Sequence, residues 1–364
     1  MSPVTSPVTS PVTRSRRTVA TVALALAVVP TLLAGCSAAD ESTPDGSSTA
    51  RDGDTRVFAE PDDGAFPVTL DHAYGETTIE EQAERVVVVG WAGADLAVQL
   101  GTVPVAQGVA GGEGDSADYH PWFREAVEEL GAPLPATDPS LERGEVDVEF
   151  VATQEPDLIL AISSGISADE YDRLSDVAPT VAFPDEAWGT SAEDHLTMVG
   201  DALGRSSEAE KITRELDEKI SEVGAGHPEL SDVSFLYGFL PTDGQTVIFS
   251  EADPRVTTLE QLGLVPSSDL DELAREADGV SSFNVAVERL ITTDTDIYVT
   301  TVDRAEWDAA VAEDRAFAAW GPVAAGNAAV IDDPDVGLAL ATSTPLSLAW
   351  AVEDIADDLS AAVD

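Results

Sequence analysis

The sequence predicts an α/β fold: two doubly wound α/β lobes joined by a long connecting helix, with a ligand cleft between the lobes. Three observations carry this. Short apolar, β-branched runs alternate with helical segments over residues 66–205. The alternation resumes over 227–364, and one amphipathic stretch at 206–226 separates the two sets. The length of 364 residues suits two or three domains, and 43 % apolar residues can bury real cores despite a formal charge of −51.

Residues 2–13 repeat Ser-Pro-Val-Thr three times and carry no fold information. Arg14, Arg16 and Arg17 then precede an apolar run at 18–33 and the tetrapeptide Leu33-Ala34-Gly35-Cys36. A positive start, an apolar core and small residues before the cut are the layout of a signal peptide, and the tetrapeptide is a lipobox. A spanning helix needs about 20 apolar residues; this run is shorter, carries Pro30 and lacks a positive stop. Residues 1–35 therefore read as a lipoprotein signal peptide, with Cys36 as the site of lipid attachment. The triplet Ser15-Arg16-Arg17 adds a hint of twin-arginine export. Two or more acyl chains, at about 0.8 kcal/mol per buried methylene, anchor a protein stably. That puts the mature chain on the extracytoplasmic face of the cell membrane. Cys36 is also the single cysteine, so neither an intrachain disulfide nor a cysteine-based zinc site is possible.

Residues 36–65 are rich in Ser, Thr, Asp, Gly and Pro and read as a flexible tether. In the first lobe, 85–90 (RVVVVG), 104–109, 157–162 (DLILAI) and 180–183 read as strands, with helices at 94–100 and 168–177. Ile212, Leu216, Ile220 and Val223 then recur at helical spacing up to Gly224-Ala225-Gly226 and Pro228, which makes 206–226 the interlobe helix. In the second lobe, 233–240, 246–249, 296–300 and 329–332 read as strands, with helices near 257–262, 285–290 and 305–320. The closing helix carries Leu348, Val352, Ile355, Leu359 and Val363 on one face.

Charge excludes one class of partner. With 69 acids against 18 bases, only Lys211 and Lys219 being lysines, no basic stripe exists to displace phosphate counterions, so nucleic acid is not a partner. Removing residues 1–35 takes away three arginines and no acid, which carries the charge from −51 to −54. Screening beyond about 8 Å makes this mainly a matter of solubility.

In open α/β sheets, ligands sit beyond the carboxyl ends of the strands, and a cleft between two lobes is the usual place for a small molecule. Trp91, Tyr119, Trp122 and Trp188 fall at such ends in the first lobe, and Tyr237 and Phe239 in the second. Each taken singly fits core packing as well as ligand contact; as a set they fit a cleft for a bulky, semi-polar ligand. Arg255 and Arg304, with Arg143 behind them, add planar donors suited to carboxylate or hydroxamate oxygens.

The order of short segments carries a resemblance. Residues 70–101 (LDHAYGETTIEEQAERVVVVGWAGADLAVQLG), Gln154-Glu155-Pro156-Asp157-Leu158-Ile159-Leu160 and Leu174-Ser175-Asp176-Val177-Ala178-Pro179-Thr180 resemble iron–siderophore ABC-transporter substrate-binding lipoproteins. Ala202-Leu203-Gly204-Arg205, Asp253-Pro254-Arg255 and Leu346-Ser347-Leu348 follow in the same order. The resemblance covers about 66–362. It implies two lobes on one long helix with little hinge motion, and a shallow cleft for a ferric siderophore handed to a permease with separate ATPase subunits. It implies that iron is held by the siderophore, so that no cofactor or protein metal site is needed. It places Arg255 as the cleft arginine, and Glu149 and Glu288 as the rim glutamates that dock each lobe on the permease; rim charges of this kind mainly set encounter rate and register. The acidic surface mildly favours neutral or cationic ferric hydroxamates over catecholates or citrates.

Other readings stay open at this level. A haem receptor could use Tyr119 or His120 as axial ligand, and a corrinoid receptor could use the same aromatics. His72, His120, His195 and His227 show no metal-ligand spacing. An extracellular hydrolase would need an activated nucleophile, and no Gly-x-Ser-x-Gly elbow or Ser/His/Asp set stands out; no catalytic residue is assigned.

Overall fold

A computed structural model describes residues 57–109, 119–143, 145–277 and 281–363. The valine run shows how the first lobe is built. Val86–Val88 is a strand in which every side chain is buried, and Val86 and Val88 enter one apolar cluster while Val87 enters another. Leu158–Ala161 repeats this, Leu158 and Leu160 facing one layer and Ile159 and Ala161 the other. Side chains alternate across a strand, so a continuous apolar run supplies both faces of a sheet covered by helices. The first lobe is a five-stranded parallel sheet in the order Ala136–Thr137, Ala106–Gln107, Val86–Val88, Leu158–Ala161, Thr180–Ala182. The second is a four-stranded parallel sheet in the order Val265–Pro266, Ser234–Tyr237, Ile297–Thr301, Ala328–Ile331.

Each lobe ties its central strands with an aspartate. The Asp157 carboxylate accepts from the backbone N–H of Glu84 and Arg85 at 2.9 and 2.8 Å, and Asp296 accepts from the N–H and hydroxyl of Ser234 at 2.8 and 2.6 Å. The two-lobe α/β plan read from the sequence is the observed one.

The helix Ser206–Gly226 runs from one lobe to the other. Ala209 and Ile212 belong to an apolar cluster of the first lobe, and Ile220 to the cluster that holds Phe235, Ile297 and Val299 of the second. At 1.5 Å per residue its 21 residues span about 30 Å. The closing helix Pro345–Val363 packs along it, and Leu348, Val352 and Ile355 share one cluster with Val98, Trp122 and Phe123 of the first lobe. The lobes therefore meet through a continuous apolar seam.

Several expectations are corrected. Residues 57–65, read as the end of the tether, lie against the body. Val57 accepts from the N–H of Val103 at 2.9 Å, and Asp62 accepts from the N–H and hydroxyl of Ser207 at 2.9 and 2.6 Å. The polar composition that suggested a tether serves here to satisfy the open first turn of the bridging helix, whose own cap residue, Arg205, makes no side-chain cap bond. The strand read at 246–249 lies outside the parallel sheet: Gln245–Phe249 pairs antiparallel with Ser282–Ala286. The helix read at 305–320 breaks at Asp314, whose carboxylate caps a new turn by accepting from Ala316 and Phe317. Cys36 and the segment before it lie outside the described residues.

Candidate ligand cleft

The carboxyl end of Val86–Val88 turns through Gly90, at φ 100°, where a Cβ would stand 2.1 Å from the Ser163 carbonyl oxygen. Only glycine fits, and this closeness sets the next residue, Trp91, beside the loop after Leu158–Ala161. That loop carries Gly165, against which the Trp188 indole packs so tightly that a Cβ would meet its Nε1 at 2.1 Å. Trp91, Trp188, Glu142 and Arg143 line a groove of about 470 Å³. Trp188 is 53 % exposed, and the Arg143 guanidinium lies 6.0 Å from the centroid of the Trp91 ring.

Beneath this groove is a smaller cavity of about 40 Å³. Trp91 and Glu142 line both, joined below by Asp95, Gln107, His120 and, from the second lobe, Thr342. Asp95 stands on the helix Gly93–Gln99 and is 3 % exposed. Its Oδ2 accepts from the Trp122 indole N–H at 2.7 Å and from the Thr344 hydroxyl at 3.0 Å, so one carboxylate joins the two lobes. Burial pushes its pKa up to about 6, against the pull of those two bonds. His120 stacks on Trp122 at 4.5 Å, and burial lowers its pKa to about 4, leaving the ring neutral at pH 7.

The site residues named from the sequence divide. Trp91 and Trp188 face the groove, as does Arg143. Tyr119, Trp122 and Tyr237 are corrections, being core residues at 8 %, 1 % and 1 % exposure. Tyr119 stacks on Phe123 and donates its hydroxyl to the Pro135 carbonyl; Trp122 is held by Asp95; Tyr237 packs on Phe249 and bonds Thr301 at 3.2 Å. A large ring at a strand end is as useful for sealing a core as for meeting a ligand, and these three seal it. In the second lobe, Phe239 is 41 % exposed and stands edge-on to Phe249. Arg255 lies 3.8 Å above the Phe249 ring and gives two N–H bonds of 2.7 Å to Asp253. That fork is thus oriented by its neighbours, with part of its donor set already used. Arg304 is half-exposed and bonds Asp332 at 3.1 Å and the Val330 carbonyl at 3.2 Å.

Glu149 and Glu288 are exposed, each in the first turn of a short helix, Val148–Thr153 and Val287–Leu290, and each eight residues before the aspartate that ties its lobe's central strands. Sequence reasoning missed Asp95, Gln107 and Glu142. Asp95 had a signal: it is the one acid in residues 86–100, an otherwise apolar stretch.

The family described as "Periplasmic binding protein" matches residues 86–335. The chain belongs to that family. Its members are binding proteins of transporters rather than enzymes. The ferric-anguibactin-binding protein FatB of Vibrio anguillarum is 25 % identical over 214 residues, an alignment covering 56 % of this chain and 60 % of FatB. PiaA of Streptococcus pneumoniae, solved with ferrichrome, superposes with a TM-score of 0.69 at 28 % identity, over 81 % of this chain and 98 % of PiaA. A periplasmic solute binding protein from Mycobacterium smegmatis gives 0.66 at 25 % identity, over 83 % of this chain and all of that one.

Proposed function

We propose that this periplasmic binding protein is the substrate-binding component of an ABC importer, capturing a ferric siderophore outside the cytoplasmic membrane and delivering it to a permease. The observation that carries this is the likeness over nearly all of PiaA, itself solved with ferrichrome, combined with a groove walled by Trp91 and Trp188 at the strand ends. Aromatic walls suit a bulky chelate whose iron is already enclosed; a bare cation would want converging carboxylates or imidazoles instead. Iron then arrives as cargo inside the ligand. Acylated Cys36 tethers the protein to the membrane, and Glu149 and Glu288 meet the permease, whose ATPase subunits are separate chains.

Tryptophan-fluorescence titration of the full-length chain tests the reading, with ferric hydroxamates, a ferric catecholate, ferric citrate, haem and cobalamin as ligands. Saturable quenching by a ferric siderophore is the expected result, because Trp91 and Trp188 line the groove. Quenching by haem or cobalamin alone would replace the substrate, and silence across the panel would overturn the function.

A further inference from the structure

The cavity beneath the groove gathers two carboxylates and two buried side-chain atoms that have no hydrogen-bond partner among the described residues. Gln107 is 7 % exposed, lines this cavity, and its Oε1 has no hydrogen-bond partner among the described residues. The buried Nδ1 of His120 likewise has no partner among the described residues. Two carboxylates join them. Glu142, its side chain 11 % exposed, accepts a single 3.2 Å bond from Arg143, and Asp95 accepts only on Oδ2 from Trp122 and Thr344. Leaving a buried acceptor unmet costs about 1–3 kcal/mol, and carboxylates removed from water need a cation or several donors. The group that answers all of these at once is a compact cation with several N–H donors.

Size agrees with charge. About 40 Å³ admits an ammonium head but no iron chelate, whereas the adjoining groove of about 470 Å³ between Trp91 and Trp188 has room for the bulkier part of a ligand. Because Trp91 and Glu142 line both spaces, a ligand lying in the groove can reach down with one arm.

We propose that the cavity bounded by Asp95, Gln107, His120 and Glu142 receives a protonated amine arm of the ligand. The protein thereby selects ferric hydroxamates that carry a free ammonium. This rests on the ferric-siderophore reading and narrows it to one ligand class.

Ferrioxamine B, a linear ferric trihydroxamate ending in a primary amine, and its N-acetylated form share one iron centre and differ in that terminal charge. The full-length chain binds the amine form about tenfold or more tightly than the acetylated form, the ratio expected of charge-assisted hydrogen bonds. Gln107→Leu reduces the ratio toward one while leaving affinity for the acetylated form unchanged, and Glu142→Gln, on the wall shared with the groove, also reduces the ratio. Neither change adds a heavy atom to the side chain, and circular dichroism checks that each variant is folded. Equal affinity of the unaltered protein for the two forms overturns the amine subsite and leaves the ferric-siderophore reading standing. A preference that survives both variants overturns the assignment of these residues. Binding of neither form, where another ferric complex of the wider panel binds, also removes the subsite; silence across that panel removes both.

Discussion

Asp95 shows how much a single side chain does at the floor of this cleft. It is a buried carboxylate held by one donor from each lobe, and burial raises its pKa from 3.8 to about 6. The sign of the linkage follows. A folded pKa above the unfolded one means that the native state holds the proton more tightly. The group's favourable contribution is therefore complete below pH 4 and is lost as pH rises through 6. A shift of this size corresponds to about 3 kcal/mol. In Asp95→Asn, which keeps an acceptor oxygen and removes the charge, that loss disappears. The stability of the variant relative to the unaltered protein should therefore rise between pH 4.5 and pH 7.5, as read by urea denaturation at the two values. A difference that does not change with pH contradicts the buried-charge account. The sequence shows Asp95 only as the one acid of an apolar stretch, and neither of its bonds is visible there. Its partner Thr344 is 249 residues away, and Trp122 gives no sign that its indole N–H turns inward.

At the scale of elements, the strands and the bridging helix were the legible part. The run 85–90, with its four valines, and the apolar run at 157–162 read as strands of a covered sheet because each is short and bounded by turn residues. Ser206–Gly226 was legible from its four apolar positions at helical spacing. The departures have physical causes. Gln245–Phe249 carries the same pattern as a parallel strand, and nothing local tells it that its neighbour is Ser282–Ala286. Trp122, Tyr119 and Tyr237 stand where ligand-facing rings stand, and only three-dimensional packing distinguishes a ring that seals from a ring that greets. The two short helices bearing Glu149 and Glu288 are equivalent elements of the two lobes, both exposed and both eight residues ahead of a strand-tying aspartate. Changing both to alanine should slow iron uptake by roughly tenfold or more while leaving ligand affinity unchanged, since exposed rim charges act on encounter and register. Uptake of the radiolabelled ferric complex by cells carrying the double variant, beside a binding titration of the purified protein, reads both quantities. A fall in affinity would move these glutamates from docking to the ligand.

The whole molecule joins these pieces into one device. Each lobe holds one parallel sheet, a helix of about 30 Å runs between them, and the closing helix seals the lobes along an apolar seam. That seam resists wide opening, because separating the lobes would expose Trp122, Leu348 and Val352 to water. A preformed groove of this kind suits a rigid ligand captured intact. Native mass spectrometry of the full-length chain, released from detergent after mixing with a ferric hydroxamate, tests that most directly. The account predicts one adduct per chain, with the mass of the complete iron–hydroxamate complex. An adduct with the mass of bare iron, or no adduct while the protein remains folded, would contradict it.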